Sequence, residues 1–110
     1  MKLLIGARKT RVFVDKTSDI PEGKTINVRI DKKDILIANI GGTYYATSNI
    51  CTHEGAKLHE GTLNGKEVTC PWHGAKWDVT TGKMTLFPEK LKPLVSFKLN
   101  IEDGNVYVET

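Results

Sequence analysis

The chain has 110 residues and a mass of 12.2 kDa, the size of one compact domain, and residues 1–110 are expected to form a single one. With 39% hydrophobic and 26% charged residues, 10 Gly and 4 Pro, its composition excludes disordered, collagen-like and low-complexity architectures. The net charge of +3 is scattered, with no dense Lys/Arg run to form a phosphate-binding stripe, so nucleic acid is not expected as a partner.

No stretch approaches the ~20 apolar residues of a membrane span. The apolar run at residues 3–7 is shorter than the ~7–15 residues of a signal-peptide core. The expectation is a soluble, cytoplasmic protein whose two cysteines are not joined.

In chain order, residues 11–14 (RVFV) predict a first strand, followed by a loop through Ser18, Pro21 and Gly23. Residues 24–30 place apolar side chains at every second position, the mark of a half-buried strand. Residues 31–34 are expected to turn the chain into a strand at 35–40, and Gly41-Gly42 is a two-residue hairpin signal leading into 43–46. Asn64-Gly65 marks a turn before 66–69, and Thr81-Gly82 a hairpin between 76–79 and 83–85. Pro88 and Pro93 bracket a polar connection. Residues 95–101 alternate again, and Asp103-Gly104 turns into 106–108. No window carries a helical period, so the prediction is an all-β fold, an antiparallel β sandwich or small barrel.

Two segments interrupt the strand rhythm, Cys51-Thr52-His53-Glu54-Gly55 and Cys70-Pro71-Trp72-His73-Gly74, with sixteen residues between His53 and Cys70. Thiolate and imidazole suit zinc, copper and iron–sulfur centres, and not calcium or magnesium. Four such residues in two matched pairs, in a chain with only two Cys and three His, are unlike a coincidence. Three metal readings compete. Zinc favours pairs of like ligands at C-x₂₋₄-C and H-x₃₋₅-H spacing. Blue copper takes two His, one Cys and an axial Met, for which Met84 is available, but leaves one cysteine over. A Rieske [2Fe–2S] centre takes two Cys on one iron and two His on the other, which one Cys and one His per loop supply.

The pattern C-x-H, sixteen residues, C-P-W-H-G resembles that of Rieske-type iron–sulfur proteins, and in detail the small soluble Rieske ferredoxins that serve oxygenase systems. The likeness covers most of the chain, including the Gly41-Gly42, Thr81-Gly82 and Asp103-Gly104 turns. It implies one [2Fe–2S] cluster, with Cys51 and Cys70 on the inner iron and His53 and His73 on the outer, more exposed iron. Gly55 and Gly74 are expected to let the backbone turn and approach the cluster, whereas Gly61 and Gly65 read as ordinary loop glycines. The stretch from Phe87-Pro88 to Pro93 resembles the proline-containing third loop of the family.

The sequence departs from respiratory Rieske proteins, which carry an extra disulfide-linked Cys in each cluster loop; Ala56 and Trp72 stand at those positions here. Ala75 and Trp77 replace a Ser and a Tyr whose hydroxyls bond cluster sulfurs. Losing those donors disfavours the reduced state and predicts a potential toward the lower end of the ~ −150 to +300 mV Rieske range.

Trp72 and Trp77 are expected to form hydrophobic cover over the loops, and His59 to be a solvent-exposed loop histidine. Lys57, Lys76, Lys83, Lys90 and Lys92 are candidates for a basic docking face.

The implied function is a one-electron carrier between an NAD(P)H-linked reductase and a terminal oxidoreductase such as an oxygenase, not an enzyme in itself, and expected to be a monomer. The alternatives are a small Rieske subunit of an assimilatory nitrite reductase and, from another class, a structural zinc-binding interaction module.

Overall fold

Alternating and continuous apolar runs fold here into two antiparallel sheets, seen in a computed structural model that describes residues 11–51, 55–72, 74–86 and 91–109. The strands are β1 (Arg11–Lys16), β2 (Thr25–Ile30), β3 (Lys33–Ile40), β4 (Thr43–Ser48), β5 (Thr62–Asn64), β6 (Glu67–Thr69), β7 (Lys76–Asp78), β8 (Met84–Leu86), β9 (Ser96–Glu102) and β10 (Asn105–Glu109). One-turn 3₁₀ helices lie at Thr17–Asp19 and Leu58–Glu60. No helix among the described residues is long and apolar enough to cross a membrane.

The larger sheet runs β1-β10-β9-β4-β3-β2 and curls into a nearly closed barrel; the smaller runs β5-β6-β7-β8. The chain leaves the large sheet at the end of β4, builds the whole small sheet, and returns on β9. That strand pairs beside β4 through Ala46 with Phe97 and Thr47 with Ser96. The small sheet is thus an excursion whose two ends are tied to adjacent strands.

Strand β3 organises both cores. Ile35, Leu36, Ile37, Ala38 and Asn39 are all buried, which is why residues 35–38 read as a continuous apolar run rather than an alternation. On one face Ile35 and Ile37 pack with Ile20, Val106 and Val108. On the other, Leu36 and Ala38 pack with Cys51, Cys70, Trp77 and Val79. Each such aliphatic side chain contributes about 1.5–3 kcal/mol when fully buried. The buried Asn39 amide spans two loops, donating to the Ile20 carbonyl at 2.8 Å and accepting from the Gly42 amide at 2.9 Å.

The expected four-residue turn at 31–34 is shorter: Ile30 pairs with Lys33 and Arg29 with Asp34, leaving only Asp31 and Lys32 in the loop. Both have positive φ, 48° and 69°, because a two-residue hairpin must match the right-handed strand twist even without glycine. The strand Thr62–Asn64 was not foreseen, since three residues are too few to display an alternation.

Candidate metal centre

The two loops carrying Cys51 and Cys70 are built alike. In the first, the Cys51 amide donates to the Ala56 carbonyl at 2.8 Å, and the Gly55 amide donates to the Cys51 carbonyl at 2.9 Å. In the second, the Cys70 amide donates to the Ala75 carbonyl at 2.8 Å, and the Gly74 amide to the Cys70 carbonyl at 3.2 Å. Flanking pairs close each loop at the same place, Ile50 with Lys57 and Thr69 with Lys76. The sequences share the frame behind this geometry, C-x-x-x-G-A-K in both.

Gly55 and Gly74 adopt φ of 81° and 76°. A Cβ at either would meet nothing within 4 Å, so the left-handed backbone, not crowding, calls for glycine. Ala56 and Ala75, which follow these glycines, are buried.

Both cysteines are 2% exposed and belong to one core with Leu36, Ala56, Leu58, Val68, Ala75, Trp77 and Leu94. His53 and His73 lie outside the described residues, as do Phe87 and Pro88 at the start of the expected third loop. The later part of that connection closes on the same core. Leu94 is buried and its amide donates to the Gly82 carbonyl at 2.7 Å; the Leu91 amide points to Met84 Sδ at 3.4 Å.

Gly82 (φ 81°) has no space for a Cβ, which would lie 2.5 Å from the Leu94 carbonyl oxygen. Gly61, read from sequence as an ordinary loop glycine, is likewise required: its Cβ would collide with the Thr69 carbonyl oxygen, where the first loop passes over β6.

Two aromatic residues part company. Trp77 is wholly buried, while Trp72 is 59% exposed and so is not the cover expected of it. His59 also differs from expectation, being half-buried and bonded rather than a free surface histidine. Its amide donates to Asn49 Oδ1 at 2.8 Å, which fixes the orientation of the Asn49 side chain. Asn49 Nδ2 therefore donates to His59 Nδ1 at 2.7 Å and to Asn27 Oδ1 at 2.8 Å. The buried Asn49 thus pins the return of the first loop to the large sheet, a role that nothing in its sequence neighbourhood announced.

Asp78 braces the hairpin after the second loop, accepting from the Thr80 amide and hydroxyl at 2.8 and 2.6 Å and pairing with Lys66 at 3.4 Å. Burial by itself pushes this carboxyl up. The Thr80 donors and the Lys66 ammonium outweigh it and hold the pKa below the usual carboxylate value. Of the candidate docking lysines, Lys57, Lys83 and Lys92 are exposed, Lys76 is half-buried, and Lys90 lies outside the described residues.

Two buried thiols on matching loops, at the edge of an apolar core, are suited to a soft metal group that carries negative charge on sulfur. A second feature agrees. The Trp77 indole N–H is buried and has no hydrogen-bond partner among the described residues, as though an acceptor belongs there. A family model for the Rieske [2Fe-2S] domain matches residues 10–98.

The chain belongs to the Rieske [2Fe-2S] domain family.

Its cofactor is accordingly one Rieske-type [2Fe–2S] cluster, which sets aside the zinc alternative. The chain is similar to the ferredoxin component of the naphthalene 1,2-dioxygenase/salicylate 5-hydroxylase systems of Ralstonia sp. The two are 37% identical over 91 residues, covering 83% of this chain and 86% of that one. Among solved structures it resembles the Sphingomonas yanoikuyae B1 ferredoxin (30% identity, TM-score 0.82, covering 94% and 99% of the two chains). It also resembles a chain from the complex of reduced oxygenase and oxidized ferredoxin in carbazole 1,9a-dioxygenase. There the identity is 34% and the TM-score 0.85, with 92% and 94% of the chains covered.

Proposed function

We propose that this Rieske protein is the ferredoxin of an oxygenase system, taking single electrons from an NAD(P)H-linked reductase and delivering them to a terminal oxygenase in the cytoplasm. The observation that carries the reading is the matched pair of loops that bring Cys51 and Cys70 into one buried core. Relatives named as ferredoxin components of dioxygenase systems support an oxygenase as the acceptor, over the large subunit of a nitrite reductase. The protein is an electron-transfer component and not itself an enzyme.

In this reading Cys51 and Cys70 bind the inner iron as thiolates, and His53 and His73 bind the outer iron as neutral imidazoles. The bound cluster supplies a site that gains and loses one electron, at a higher potential than a four-cysteine cluster because two neutral ligands replace two anionic ones. Burial of both thiols keeps water from the sulfur side. The left-handed glycines let the backbone turn back at the end of each loop. Trp72, exposed in the second loop beside His73, offers an apolar contact at the point where a partner would approach.

Electron paramagnetic resonance of the dithionite-reduced protein tests the ligand set. A rhombic signal averaging below the free-electron g value is expected, and its absence overturns the assignment of two cysteines and two histidines. Transfer is tested by mixing the reduced protein with an aromatic-ring oxygenase under air: reoxidation coupled to product formation is expected, and reoxidation without product removes the oxygenase as acceptor.

A further inference from the structure

Trp77 carries a polar group that the fold leaves without a partner. The residue is 0% exposed, and its Nε1–H is buried with no hydrogen bond among the described residues. Buried tryptophan N–H groups usually find an acceptor, because leaving one unpaired costs about 1–3 kcal/mol. A wholly apolar side chain would avoid that cost, so the buried indole N–H here calls for an explanation.

The surroundings narrow the choice of acceptor. Trp77 lies on β7, two residues beyond Ala75 at the end of the second loop, and packs in the core that holds both cysteines. The apolar side chains of that core include three sulfurs, those of Cys51, Cys70 and the half-buried Met84. Met84 stands opposite Trp77 across the β7–β8 pair, and its sulfur is approached by the Leu91 amide. A second buried polar atom without a partner among the described residues, Thr47 Oγ1, is on β4 opposite Leu36, and it does not bond Trp77 directly.

We propose that Trp77 donates its indole N–H to an anionic sulfur of the cluster, a cysteine thiolate or a bridging sulfide, and so raises the reduction potential. The proposal rests on Cys51 and Cys70 being cluster ligands. A donor dipole directed at sulfur favours the reduced state, which carries one more negative charge than the oxidised one. The loss of the two hydroxyl donors at positions 75 and 77 is then only partial: Ala75 supplies nothing, whereas Trp77 replaces an O–H with an N–H. Trp77 is a positioning and tuning residue and takes no part in binding iron.

Trp77→Phe keeps an aromatic ring in the core and deletes the donor. Protein-film voltammetry is expected to show a lower midpoint potential than in the unmodified protein. Thermal melting of apo and holo forms adds a signature that packing alone cannot give. Lost bulk should lower both melting temperatures, while the gap between holo and apo should shrink, because the donor stabilises only the form that holds its acceptor. An unchanged potential with equal losses in both forms overturns the proposal, as would follow if a buried water bridged Trp77 to Thr47.

A second measurement needs no change at position 77. Protein carrying indole-¹⁵N tryptophan in a Trp72→Phe background, reduced and studied by pulsed electron paramagnetic resonance, is expected to show a ¹⁵N coupling from Trp77. It should also show an exchangeable proton coupling that disappears in D₂O. A normal rhombic signal without these couplings refutes the hydrogen bond while leaving the ligand assignment intact; loss of the rhombic signal from the unmodified protein refutes both.

Discussion

The six-stranded and four-stranded sheets meet over the Leu36 and Ala38 face of β3 and hold together by different means. The large sheet has strands of five to eight residues in long registers, such as six consecutive pairs between β3 and β4, and an interior of aliphatic side chains. Every strand of the small sheet has three residues, and the core beneath it includes two cysteines and a tryptophan whose N–H is unpaired among the described residues. Such short ladders are marginal alone. The small sheet stands because its ends are anchored on β4 and β9, because glycines let its loops pass closely, and, in the reading above, because a metal group joins its two loops. The small sheet therefore has less stability of its own, and the large sheet supplies the rigidity on which it rests.

Four experiments would break or sharpen this contrast. The largest effect is expected from Cys51→Ser or Cys70→Ser, since a hard oxygen ligand poorly replaces thiolate on iron. Neither variant should retain a Rieske spectrum. Hydrogen exchange should accelerate at the amides of Gly55, Gly74 and residues 62–86 while those of β3 and β4 stay protected. Uniform acceleration across both sheets would show that the two do not differ in this way.

Next come the close backbone approaches of the small sheet. Gly61→Ala and Gly82→Ala should each destabilise by about 1–3 kcal/mol or more in urea titrations, because the obstacle is a carbonyl and not a flexible side chain. Gly104→Ala in the large sheet meets only Thr17 Oγ1 at 3.7 Å and should cost less, only the strain of its positive φ. Equal costs at all three would count against the contrast.

The Asp78 brace should be worth about 1 kcal/mol at neutral pH, from its Thr80 and Lys66 partners. Its folded pKa lies below the unfolded value of ~3.9, so this stability is present above about pH 4 and is lost as pH falls through the lower, folded value. Asp78→Asn should thus be less stable than the parent at pH 7 and equal to it in strong acid; a gap that persists undiminished into strong acid would dismiss the charge as the cause.

The smallest effect has the opposite sign and sits in the large sheet. Lys32→Gly relieves a positive φ of 69° in the β2–β3 hairpin and should raise stability by about 0.5–1 kcal/mol. A fall in melting temperature would mean that the lysine side chain contributes more than its backbone strain costs.

Much of this was legible from residue order. Period two at 24–30, the Gly41-Gly42 and Asp103-Gly104 turns, and the paired Cys and His spacing are local signals, and local signals point to strands, hairpins and a Rieske-type loop pair. A pattern shows which residue types recur, not what lies across from them, so the remaining features stayed hidden. Gly61 looks like any loop glycine until the Thr69 carbonyl is brought against it, from eight residues further along the chain. His59 looks solvent-exposed until Asn49, ten residues earlier, and through it Asn27 on β2, are in place. Trp72 and Trp77, five residues apart on one hairpin, look equivalent, yet one is exposed at the loop and the other is enclosed between the sheets. What the sequence determined by itself was the Rieske family and the β architecture, because both show in neighbours along the chain. The tertiary structure alone decided which glycines are indispensable, which histidine is braced, and which indole N–H is buried with no partner among the described residues, because burial and hydrogen bonding depend on residues that only folding brings together.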